Sequence, residues 1–111
     1  METKPDVQLW KADQLDYMKV GTEGLAFCNP IPESIGKYHA GYLDFNGGTL
    51  EWTEHGDELI WVIAGHVEIF NGSDVYQMDP GDLIFLKDGL SLRMTGSQDA
   101  RIAYISTLYC Q

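Results

Sequence analysis

In the stretch Trp52–Gly65, WTEHGDELIWVIAG, the side chains able to hold a cation or move a proton are packed together: Glu54, His55, Asp57 and Glu58. A transition metal wants three or more converging ligands, most often imidazoles with a carboxylate. Glu54, Glu58 and His55 could converge on one, because Gly56 lets the turn between them bend, and His39 could join from a neighbouring strand. A hard cation on Glu54 and Glu58 would want more oxygens than these two supply. Without a metal, two carboxylates facing one confined space cannot both ionise freely, so one is held above the usual carboxylate range. That prepares them for acid–base work, or for binding a cationic or hydroxylated ligand. Each residue also has a structural reading. Glu58 could stand in water at a strand start, His55 in an exposed turn, His39 in a satisfied structural role, and His66 facing solvent after Gly65.

Strands must position these groups. From residue 37 the sequence runs as short strands punctuated by turns: 38–45 (YHAGYLDF), 49–53, 57–64, 66–70, 75–78, 82–87, 90–95 and 100–109. Residues 57–64 are apolar on both parities from Leu59 onward, which predicts burial on both sides. Asn71-Gly72 is the strongest hairpin signal, and Asp79-Pro80-Gly81-Asp82 is a second turn. The glycosylation sequon at Asn71 is read as that turn. About eight short strands without a crossover helix mean an antiparallel sandwich or barrel. Residues 6–20 are a short helical stretch, or else an edge strand with a helical turn. The Gly- and Pro-rich residues 21–36 read as a covering loop. The organisation expected is an N-terminal arm, 1–36, packing on a barrel, 37–111, as one domain of 111 residues. At 44% hydrophobic and 12% aromatic the core is real but small.

The motif order resembles that of the cupins. Their first motif places a Gly seven residues after a Glu, as Glu58 and Gly65 are placed; their second begins Pro-Gly-Asp and runs through an apolar strand to a Gly turn, as in PGDLIFLKDGLSL (80–92). The closer resemblance, over about 37–108, is to the EutQ-like ethanolamine-utilisation cupins. HAGYLDF, WT before DELIWVIAG, GDLIFLKDG and ARIAYIS carry it. The resemblance implies an all-β, single-domain cupin, a double-stranded β-helix or jelly-roll barrel. It puts the paired-His positions on Trp52 and Glu54, the Glu on Glu58 and the second-motif His on Leu92, so no imidazole survives there; the EutQ-like group also lacks the usual set. It implies that Glu58 points inward and that Tyr104 either offers a phenol to the cavity or packs. The aromatic Trp52 and Tyr42 could wall the substrate space, with Leu92, or pack in the core. It further implies a cytoplasmic bacterial role near amino-alcohol catabolism and its microcompartment. An acetate-kinase-type activity has been attributed to the group.

The net charge of −10 argues against nucleic acid and anionic membrane as partners, and against a phosphorylated ligand. The Walker phosphate loop, the dinucleotide fingerprint and the serine-hydrolase elbow are absent from the sequence. Cys28 and Cys110 lie far apart and read as reduced thiols. The N-terminal residues have no apolar signal-peptide core, and no run approaches a membrane span. Leu59, Trp61 and Ile63 share the parity opposite to Glu58, Ile60 and Val62, so they need the N-terminal arm or a second subunit as cover. A homodimer is expected. Two function classes follow. One binds or converts a small molecule through Glu54, Glu58 and Tyr104, either with no cofactor or with a divalent metal on His55, Glu54 and Glu58; the missing ligands favour the cofactor-free form. The other is a scaffold or interaction module with a filled barrel.

Overall fold

The computed structural model describes residues 7–21, 24–32 and 38–107. These form ten strands: β1 Met18–Val20, β2 Leu25–Phe27, β3 Tyr38–Asp44, β4 Thr49–Thr53, β5 Glu58–Ala64, β6 Val67–Phe70, β7 Val75–Met78, β8 Leu83–Leu86, β9 Ser91–Gly96 and β10 Arg101–Thr107. Alternation sets their faces, since successive side chains of a strand point to opposite sides. In β9, Leu92, Met94 and Gly96 are buried while Ser91, Arg93 and Thr95 are exposed. In β6, Val67 and Ile69 go inward and Glu68 outward.

The strands pair antiparallel into two sheets. One runs β1-β2-β3-β10-β5-β8, the other β4-β9-β6-β7. Their inner faces share one core, in which Phe45, Ile60, Val62, Val67, Ile69 and Ile102 are fully buried. Burying each such side chain is worth roughly 1.5–3 kcal/mol relative to leaving it in water. β10 sits between β3 and β5, with Tyr104 opposite Gly41 on one side and Ile60 on the other. The Asn71-Gly72 turn joins β6 to β7. Asn71 Oδ1 accepts from the backbone N–H groups of Ser73 and Asp74, at 3.0 and 2.8 Å.

One short strand lies where the sequence suggested otherwise: β2 falls inside the expected covering loop. Of the two readings of 6–20, residues 7–20 follow the second, a 3-10 turn at Ala12–Gln14 and edge strand β1. Both strands are only three residues long: β2 takes the edge of β3, with Ala26 and Phe27 opposite Asp44 and Leu43, and β1 pairs in turn with β2. Residues 22–23 and 33–36 of the expected loop, residues 108–109 of the expected last strand, and Cys110 lie outside the described residues. Cys28 is a buried free thiol.

A clamp fixes the N-terminal segment to the sheet. Arg101 forks onto Asp44, Nε to Oδ1 at 2.5 Å and Nη2 to Oδ2 at 2.9 Å. Its guanidinium lies between the rings of Tyr17 and Tyr42, 5.3 Å from each centroid. Outside the sheet, Trp10, Leu15, Pro30 and Ile31 stand against Tyr42, Trp61 and Ile105. This cover stops short of the sheet's far edge. Leu59, Ile63, Leu83 and Phe85 remain 38%, 45%, 63% and 57% exposed, an apolar patch across β5 and β8.

Candidate functional site

Glu54 and Glu58 flank the turn between β4 and β5, and the turn is rigidly placed. Glu54 N–H donates to the Leu90 carbonyl at 2.8 Å, and Gly89 N–H donates to the Glu54 carbonyl at 2.9 Å. Gly56 N–H donates to Asp88 Oδ1 at 3.1 Å. Gly56 has φ 108, a left-handed conformation, and a Cβ there would lie 2.7 Å from the Thr107 carbonyl oxygen. Only glycine fits both constraints. Leu50, Trp52 and Glu54 share one parity of β4 and its continuation, so Glu54 is carried inward with the core-facing residues. Glu58 begins β5 on the parity of Ile60 and Val62, both buried.

The two acids meet. Their carboxyl groups are hydrogen-bonded to each other, and the Trp52 side chain also bonds Glu54. Glu54 is 3% exposed, and its Oε2 has no hydrogen-bond partner. Burial pushes the Glu58 carboxyl up to about 9, with the bond to Glu54 and the charge of Glu54 acting in the same direction. Burial raises Glu54 too, opposed by the bonds from Glu58 and Trp52 and by nearby His55. The pair therefore titrates as a unit and keeps one proton near neutral pH, on the Glu58 side.

Below the pair lies a cavity of about 280 Å³. Val20 and Phe27 of the N-terminal hairpin, Leu43, Leu50, Ile60, Met94 and Ile102 give it hydrocarbon walls; Asn29, His39, Glu58, Tyr104 and Ser106 give it polar ones. A mouth of about 270 Å³ adjoins it, bordered by His39, Trp52, Glu54, His55, Glu58, Ser106 and Thr107. The barrel is thus open at one end. No Lys or Arg borders either space among the described residues.

The residues singled out by sequence distribute unevenly. Trp52, Glu58 and Tyr104 line the cavity, while Glu54 and His55 stand at its mouth. Tyr104 is already committed: its hydroxyl donates to the Cys28 carbonyl at 2.8 Å, and burial raises its phenol pKa. That carbonyl can come close because Gly41 leaves room; a Cβ at Gly41 would occupy the carbonyl oxygen's place. Leu92 is a core residue opposite Trp52, outside the cavity lining. Tyr42 lies on the other face of β3, against the N-terminal segment. His66 is also remote: its Nδ1 pairs with Asp79 at 2.9 Å and its Nε2 with Gln77 at 2.5 Å. Asn29 and Ser106 are cavity residues that the sequence reading did not single out. Ser106 was findable, since it shares the inward parity of Ile102 and Tyr104. His39 shares the parity of Leu43, which places it at the cavity.

The donor set does not fit a transition metal. Leu92, at the second-motif position, cannot ligate. Among the described residues, no three His, Cys, Asp or Glu side chains are arranged to hold an ion. What this arrangement offers instead is a proton held at neutral pH beside a buried, unpaired acceptor, above a small apolar chamber.

Comparison with known proteins places this geometry. An ethanolamine utilisation protein Q from Salmonella typhimurium LT2 superimposes with a TM-score of 0.83 at 15% identity, covering 95% of this chain and 90% of that one. The Clostridium difficile EutQ protein gives 0.74 at 22% identity, over 84% and 76%. An RmlC-like cupin from Shewanella frigidimarina NCIMB 400 gives 0.78 at 11% identity, over 98% and 97%. At these identities the likeness establishes the fold, which is the all-β cupin barrel. No protein with a curated description matches the chain. The family profile described as "Ethanolamine utilisation protein EutQ" matches residues 5–109, nearly the whole sequence, and the chain belongs to that EutQ family.

Proposed function

We propose that this chain is a small-molecule-binding cupin whose working group is a proton-sharing pair, Glu54 and Glu58, in the place where other cupins hold a metal. A single observation carries the reading: a buried carboxyl pair, with one acceptor oxygen unpaired, at the neck of a mainly apolar cavity. A buried polar atom without a partner costs about 1–3 kcal/mol, and proteins retain such atoms chiefly where something else satisfies them. Glu58 is an acid poised to give up its proton to a bound molecule, which is also the first requirement of general acid catalysis. The family name and the barrel together support a cytoplasmic role in ethanolamine or amino-alcohol breakdown, beside its microcompartment. Among the described residues no helix is long and apolar enough to cross a membrane.

A screen of small fragments by ligand-observed NMR, on the wild type and on Glu58→Gln, tests the reading. Fragments that bind the wild type and are lost from the folded variant support it. An absence of binding, or equal binding to both, returns the chain to the scaffold class. One observation favours an interaction role in addition: the apolar patch of Leu59, Ile63, Leu83 and Phe85, where we place a second copy of the chain.

A further inference from the structure

We propose that the barrel takes up a small organic amine as its monocation, hydrocarbon end inward, in exchange for the proton shared between Glu54 and Glu58. This rests on the small-molecule reading above and specifies its ligand.

Four features of the site select that chemistry. First, Glu54 Oε2 is buried and lacks a donor, so the ligand must bring a hydrogen-bond donor to the neck of the cavity. Second, no Lys or Arg borders the cavity or its mouth among the described residues, so a carboxylate or phosphate ligand would face the acid pair without a countercharge. Third, the chamber below the pair is walled mainly by hydrocarbon and measures about 280 Å³. That lies just below the range of ~300–1,000 Å³ typical of drug-sized ligands, so the ligand is short. Fourth, Trp52 borders both spaces, and an indole face is a favourable neighbour for an ammonium group. The chain's net charge of −10 adds a field that gathers cations.

The exchange balances. Before binding, the pair holds one proton and one negative charge. As the ammonium enters, the Glu58 O–H bond breaks and its proton passes to solvent. Both carboxylates then accept N–H bonds from the ligand, and the neck again carries a net charge of −1. The buried charge is thus the same before and after, and binding avoids the cost of adding an ion to a dry site. The other titratable groups facing the pair are His55 in the same turn, His39 on β3 and Tyr104 on β10.

Calorimetry on the full chain, in two buffers of different ionisation enthalpy, tests the exchange with three probes: n-butylamine, n-butanol and butyrate. Butylamine should bind with about one proton released, and its affinity should rise up to about tenfold per pH unit between about pH 6 and 8. Butanol should bind at least about tenfold more weakly, and butyrate should not bind. In Glu58→Gln, butylamine affinity should fall and its proton release vanish. Butylamine binding without proton release, or butanol or butyrate binding as tightly as the amine, overturns the amine assignment and leaves the small-molecule site standing. Silence from all three probes also overturns it, and the fragment screen then decides separately whether the site binds anything.

Discussion

Replacing Glu58 by Gln should change how the protein's stability depends on pH, and the sign follows from where the proton sits. Folding lifts the Glu58 carboxyl from an ordinary 4.5 to about 9. Below about pH 4.5 both folded and unfolded states hold the proton, and the contribution is fully present. Between those values the unfolded chain has released it and the folded chain has not, so stability falls as pH rises, by ~1.4 kcal/mol per unit for one proton. Above about pH 9 the loss is complete and the curve flattens. From about pH 6 to about pH 8 the full single-proton effect is therefore roughly 2.7 kcal/mol, and sharing of the proton with Glu54 sets the expected range at about 1.5–2.7 kcal/mol. Gln cannot ionise, and its amide can still donate to Glu54. Other groups slope the wild-type curve as well. His66, held up by its bonds to Asp79 and Gln77, also loses stabilisation as pH rises. It does so equally in both proteins, so the difference between the two curves isolates Glu58. Urea unfolding followed by tryptophan fluorescence gives both curves, with equal m-values as the check that only stability has changed. A difference that varies by less than about 0.5 kcal/mol across that window would refute the shared proton, because one retained proton cannot produce so little.

Two further outcomes are expected. Arg101→Lys keeps the charge but loses the fork onto Asp44 and the planar stacking between Tyr17 and Tyr42, and should cost about 1–2 kcal/mol in urea unfolding; an unchanged midpoint would mean the clamp does not hold the N-terminal segment. The wild type should sediment as a dimer and Phe85→Lys as a folded monomer, since the change places a charge in the exposed apolar patch; a monomeric wild type would remove the second copy.

Much of the barrel was legible because alternation and turn chemistry are local. β4 and β7 have the boundaries the sequence suggested, 49–53 and 75–78, and Asn71-Gly72 makes the predicted turn. β2 was not legible: three residues carry too little pattern, and it takes its form from β1 on one side and β3 on the other. β1 agrees with one of the two readings of 6–20, the edge strand. At the site, the inward course of Glu58 followed from the resemblance and from the apolar residues after it. The meeting with Glu54 depended on a turn held by Gly89 and Leu90, which no local rule connects to residue 54. Tyr42 shows the limit of choosing by residue type. It was read as a cavity wall because aromatics suit one, yet its neighbour Leu43 is buried in the core, and strand parity turns Tyr42 to the outer face.

The central place of β10 bears on how the molecule is made. The larger sheet has no continuous middle until residues 101–107 slot between β3 and β5, which are more than 35 residues upstream of it. A ribosome releases those residues after everything they join together. The amide-hydrogen ladders that complete the barrel, and with them the chamber, must wait until residues 101–107 have left the ribosome. Such distant pairings place this chain among slow-folding topologies. In the interval, the hydrophobic strands β5 and β8 are exposed to anything that binds unfinished chains.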